Sequence, residues 1–274
     1  MMNSRPSRVY ARVVLRLFVA GFALLVGAAA NSSPELTGVW KTRFVSASDP
    51  NWRIVDLACS FDCSRAEYNY LEALLNDPAN DNRPLLELSE QAQKYSLDYL
   101  ADVLTPEAKL QQENYNPAEH PALDCSPDGD GLHHQIIAPV PFQIEQRPDK
   151  VIIRYEYWNA VRTVYTDGRG HPSDAEQSRL GHSIGRYEGS DLVVETVNMI
   201  PVSVDLIGGD VTASQDAIFI ERYTPSDDGN RLDLEWTIVD PVNFREPYSG
   251  VRSYLLAPDW ELDEFVCEAI TGEF

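Results

Sequence analysis

Two of the five histidines, His171 and His182, fall in a stretch crowded with arginines and carboxylates. An imidazole beside a carboxylate can take a proton from a bound molecule and return it. Arginine in the same place can hold negative charge as it develops. The acid–base candidates are His171, His182, Glu156 and Asp167. Candidates to face a bound molecule are Arg154, Tyr155, Trp158, Arg162, Arg186, Glu195 and Glu221. The two histidines with Glu156, Asp167 or Glu195 could also make a metal site of two imidazoles and one carboxylate. Their spacing matches no known ligand signature, so neither a metal nor any cofactor is assigned. The plainer roles compete. Glu156, Arg162, Glu195 and Glu221 could pair across strands, and His171 could bond backbone in a turn beside Pro172.

Gly181-His182-Ser183-Ile184-Gly185 matches the G-x-S-x-G nucleophile elbow of serine esterases. The elbow joins a strand to a helix, whereas this string follows a polar loop and precedes a hairpin. No histidine follows His182 to complete the order Ser, acid, His. The esterase reading is therefore set aside, and the glycines are assigned to a tight strand entry.

The elements that position these groups lie in residues 151–198. They read as strand, loop, strand, turn, strand. The first strand runs from Val151 through Trp158 to about Tyr165. Period-two alternation puts Arg154 and Glu156 on one face with Ile152 and Trp158, and Val151, Ile153, Tyr155 and Tyr157 on the other. If the Arg154 face points inward, an ion pair and an aromatic line a polar interior; if outward, the charges are solvated. Asp167-Gly168-Arg169-Gly170-His171-Pro172 is a turn signal, and Leu192 to Val197 is the last strand.

β patterning continues from Phe142 onward. Leu232, Leu234, Trp236 and Ile238 alternate with polar residues, the mark of a half-buried antiparallel strand. Residues 217–223 and 251–256 read as further strands, with tight turns at 188–191 and 227–230. No βαβ alternation occurs, so a parallel sheet is not expected. The fold class is mainly β (α+β): a single lipocalin-like antiparallel barrel or sandwich with a helical insert over 59–116. Gly38-Val39-Trp40 resembles the G-x-W start of lipocalin-like barrels. In the insert, Ser64 and Glu67 form a capping box ahead of Tyr68, Leu71, Leu74 and Leu75. A second helix runs from about Glu90 to Val103, and Thr105-Pro106-Glu107 starts a third. These helices cover a sheet rather than bind.

Residues 117–142 read as a loop. Asp124, Ser126, Asp128 and Gly129 match half a calcium loop, but Gln135 stands where a bidentate glutamate is required. In extended backbone the adjacent His133 and His134 point to opposite faces and cannot share one ion.

Residues 1–30 look like a secretory signal: four arginines, an apolar run over 17–30, and Ala28-Ala29-Ala30 as a cleavage site. Cleavage would leave residues 31–274 as one domain. It would remove four arginines and no acid, taking the formal charge from −21 to −25. Such a charge argues against nucleic acid and anionic lipid as partners; the barrel pattern makes a small molecule the expected one. No stable membrane anchor is expected after cleavage; oligomeric state is open. The location read from this is periplasmic or secreted. Four cysteines in an exported chain suggest disulfides. Of three pairings, Cys59–Cys63 with Cys125–Cys267 is favoured, because the first two are near neighbours.

The set Asp167-Gly168-Arg169-Gly170-His171-Pro172, Gly181-His182-Ser183-Ile184-Gly185-Arg186-Tyr187-Glu188-Gly189 and Leu192-Val193-Val194-Glu195-Thr196 resembles a large group of exported bacterial proteins. Glu221-Arg222, Asp240-Pro241 and the Cys125-x-Pro127-x-Gly129 loop belong to the same signature, which spans roughly residues 105–268. The resemblance implies a common fold and carries no activity with it. Two functions remain: an exported barrel binding a small, mostly apolar molecule, or a cofactor-free lyase, isomerase or hydrolase using a histidine and a carboxylate in the barrel mouth.

Overall fold

The computed structural model describes residues 34–42, Val55, 63–127, 130–174 and 176–268. The signal-like segment, Cys59 and the Asp128-Gly129 pair lie outside the described residues.

Nine strands close into a barrel. In chain order they are β1 (Gly38–Lys41), β3 (Phe142–Arg147), β4 (Lys150–Tyr155), β5 (Val161–Tyr165), β6 (His182–Glu188), β7 (Asp191–Val197), β10 (Ile218–Pro225), β11 (Arg231–Val239) and β12 (Tyr248–Leu256). Each pairs with the next in that order, and β1 closes the ring on β12 through Trp40 and Leu256. Two residues, β2 (Cys63–Ser64), add to the free side of β12. A separate small ribbon joins β8 (Ser203–Val204) to β9 (Val211–Thr212). The expected barrel thus forms, with one difference. β5 and β6 pair in parallel, Val164 with Ser183 and Tyr165 with Ile184. A parallel pairing needs a crossover of a dozen or more residues, and the connection 166–181 supplies it.

The expected long strand 151–165 is two. β4 ends at Tyr155, and a 3-10 turn, Tyr157–Asn159, carries Trp158 and Asn159 at positive φ. The chain reverses there, so Trp158 leaves the sheet. Alternation otherwise holds. Leu232, Leu234, Trp236 and Ile238 of β11 point inward, as do Leu192, Val194 and Thr196 of β7. Trp40, Trp236, Tyr223 and Tyr254 fill the interior. Gly250 is required opposite the Trp236 indole, because a Cβ there would lie 2.2 Å from its Cζ2.

The expected loop 117–142 contains a helix, α4 (Leu132–Ile137), which buries Leu132, His133, Gln135 and Ile136. Its Ile136 carbonyl accepts from the Tyr254 hydroxyl at 2.9 Å. Helix α1 (Arg65–Leu75) starts where its cap predicts, and α2 (Leu85–Val103) begins before the expected start. A third, α3 (Pro106–Glu113), is capped by Thr105. Val55, Cys63, Tyr68, Leu71, Leu88 and Ala92 form a small second core that also takes Val251 of β12.

The capping box is put to a modified use. Ser64 Oγ accepts from the Glu67 amide at 3.0 Å, but the Glu67 carboxyl bonds Ser96. Burial raises the Glu67 pKa above 4.5, and the Ser96 bond only partly opposes this. The folded state therefore holds a proton that the unfolded state releases, so stability falls as pH rises from about 4.5 through the folded value. Glu67→Gln is expected to raise the melting temperature at pH 7 and to leave it nearly unchanged at pH 4. Paired melts at the two pH values check this.

Candidate functional site

The turn before β6 places one of the two proposed histidines. Gly181 has φ +63, and a Cβ there would strike the Val197 carbonyl oxygen at 2.4 Å. This entry sets His182 against the Tyr165 ring, centroids 5.5 Å apart. His171 returns over it, the two Nδ1 atoms 2.8 Å apart, so one ring donates and the other accepts. His171 Nε2 lies 3.3 Å from Glu195 Oε1 but makes no hydrogen bond to it. Burial, then His171 and Arg169, lower the His182 pKa. A groove of about 570 Å³ reaches His182, Tyr165 and Arg179. Three expected residues, His171, His182 and Glu195, therefore meet.

The other candidates lie elsewhere. Asp167 pairs with Arg169 two residues on, at 2.5 Å and exposed. Glu156 Oε2 accepts from the Asp263 amide at 3.1 Å. The Arg154 side chain is 42% exposed, 3.9 Å from Glu145, so its strand face points outward. Arg186 pairs with Glu188 on the outer surface.

Arg162 and Glu221 are fully inside the barrel. Their fork-to-fork pair is 3.0 Å at Nη1–Oε1, with Nη2–Oε2 closer still. Arg162 Nε donates to Ser183 Oγ at 2.8 Å, and Nη2 to Thr196 Oγ1 at 2.6 Å. The Tyr223 hydroxyl donates to Glu221 Oε1 at 2.6 Å, and Tyr155 completes the ring at 3.4 Å from Nη1. Ser183 is thus a structural hydroxyl inside the barrel, its Oγ engaged by Arg162 and Thr196.

A second polar centre sits beside α4. His120 lies between two 3-10 turns, Pro117–Glu119 and Pro121–Asp124. Asp130 precedes α4, and His134 follows it by one helical turn. Asp130 Oδ1 is 3.6 Å from His120 Nε2 and 3.6 Å from His134 Nε2. Its other oxygen accepts from Tyr157 and from Trp158 Nε1, each at 2.6 Å. This contact is where the displaced Trp158 goes. Asp210 Oδ2 stands 3.9 Å from His120 Nε2 and accepts from Ser203. Burial, then Asp210, raise the Asp205 pKa, and burial with Asp210 pushes Tyr115 up to about 12. His133, on the same helix, turns into the barrel with its ring 4.6 Å from Trp236. Burial drives its pKa well down.

Next to this centre is a cleft of about 380 Å³. Ile137, Ala138, Pro139, Val140 and Phe265 make its apolar walls, and His134, Tyr157 and Asp205 its polar points. The disulfide Cys125–Cys267 holds the C-terminal segment that carries Phe265. Cys63 is also disulfide-bonded. Residues 120–134 offered one usable signal, Asp130 and His134 at i, i+4. Extended geometry for His133-His134 hid it, since on a helix the two rings diverge without excluding either from a ligand set. No helix among the described residues is long and apolar enough to cross a membrane. No protein-family model matches the chain, and no curated protein matches it.

Proposed function

We infer that this barrel binds a small, mostly apolar molecule, held in the cleft beside α4 rather than along the barrel axis. The observation that carries this is the cleft itself. Its size and its apolar walls with three polar points are those of small-molecule sites, whereas the axis is filled by Trp236, Tyr223 and Tyr254. Tyr157 and Asp205 would orient a polar group on the ligand. The acid–base enzyme reading has less support, because Glu156 and Asp167 bond elsewhere. Export to the periplasm or the exterior fits the Cys125–Cys267 bridge and the signal-like N-terminal sequence.

The full chain, purified from an exporting host and sprayed under native conditions, should carry a ligand-sized mass that heating removes. Val140→Trp, which fills the cleft, should weaken rebinding of that molecule at least tenfold, while His182→Ala should leave it unchanged. Equal retention in Val140→Trp, or loss in His182→Ala, would move the site to the groove over β6.

A further inference from the structure

We propose that His120, Asp130 and His134 bind one divalent transition ion of the zinc class. The three ligand atoms lie within 4.8 Å of one another. Nitrogen and oxygen ligands at about 2.0–2.1 Å from a tetrahedral ion stand about 3.3–3.4 Å apart. The two 3.6 Å separations around Asp130 Oδ1 are near that spacing and too long for hydrogen bonds.

Independent support comes from Asp130. Its side chain is 1% exposed, and Oδ1 has no hydrogen-bond partner. A buried carboxylate oxygen left so is costly unless something else satisfies it. The Tyr157 and Trp158 bonds both go to Oδ2 and turn Oδ1 toward the two imidazoles. This is the outer support that metal-binding carboxylates carry. His120 Nε2 is likewise buried without a partner. Two imidazoles with one carboxylate select a zinc-class ion over calcium or magnesium. Binding requires one local change. A metal-bound His120 carries its proton on Nδ1, so the 3.3 Å contact there from the Ala122 amide must open. With three protein ligands, the fourth position is left for water or for a group of a molecule in the cleft that His134 lines. The ion site itself does not depend on the ligand reading.

The test is titration of the metal-stripped full chain with Zn²⁺ and with Co²⁺, with no organic ligand present. One equivalent should bind, and Co²⁺ should give the visible bands of a four-coordinate site. Asp130→Asn and His134→Ala should each weaken binding at least 100-fold. Tyr157→Phe should weaken it roughly 10–100-fold, and His171→Ala should not change it. Should Asp130→Asn fail to fold, the wild type decides: the ring nitrogen resonances of His120 and His134 must move on adding Zn²⁺, and those of His171 and His182 must not. Absence of saturable binding, indifference to both ligand substitutions, or loss in His171→Ala would overturn the proposal.

Discussion

Glu221→Ala is expected to destabilise the barrel by about 3–5 kcal/mol, the usual effect of removing one partner of a buried ion pair. Glu221 is 0% exposed and Arg162 is 2% exposed, so the pair is shielded from solvent. The substitution strands a guanidinium among Tyr155, Ser183 and Thr196 and leaves the Tyr223 hydroxyl without its acceptor. A domain has about 5–15 kcal/mol in all, so the variant should lose a large share of its stability. The double variant Arg162→Met with Glu221→Leu should be much less harmed than the sum of the single changes, because no charge is then left buried. Urea denaturation of the wild type, Arg162→Met, Glu221→Leu and the double variant measures the coupling, and Glu221→Ala is unfolded beside them. A single-variant loss under about 1 kcal/mol would mean that water enters the barrel at this level.

Removing the Cys125–Cys267 bridge by paired Cys→Ser changes should cost about 5 kcal/mol in the chain-entropy model. The linked cysteines are 142 positions apart in sequence, and so long a loop is expensive to close in the unfolded chain. For a domain of this length that corresponds to a fall of roughly 10–20 °C in melting temperature. The bridge also has a local role. It ties Cys267 to the segment before α4, and Phe265 packs 5.2 Å from Tyr157 and 5.0 Å from Trp158. Loss of the bridge should therefore weaken binding in the cleft as well as lower stability. Differential scanning calorimetry with ligand titration separates the two effects. A melting shift of only a few degrees would mean that the unfolded chain stays ordered near the bridge.

Local patterns were readable where one strong signal governs an element. The alternation in residues 231–238 reports one buried face, and β11 follows it. Ser64, Thr105 and Pro106 mark helix starts that the structure keeps. Failures occurred where local signals conflict or fall silent. Tyr155 to Tyr165 is rich in strand formers, yet the chain breaks at Trp158, whose indole goes to Asp130. Residues 132–137 carry no cap and are short, so their helix depends on burying Leu132 and Ile136 in the barrel.

The class of the fold and the buried face of β11 could be read from residue order, because periodicity and residue type act over a few neighbours; the Cys125–Cys267 bridge, 142 positions apart, was one of three possible pairings until the fold brought its two cysteines together. Which charges meet follows from strand order and loop docking. Arg162 and Glu221 are 59 positions apart and pair only because β5 and β10 face the same interior. His120, Asp130 and His134 converge because α4 docks against the barrel, while Glu156 and Asp167 are left to other partners. Contacts of this kind depend on barrel closure and loop docking, which no local window of residues encodes.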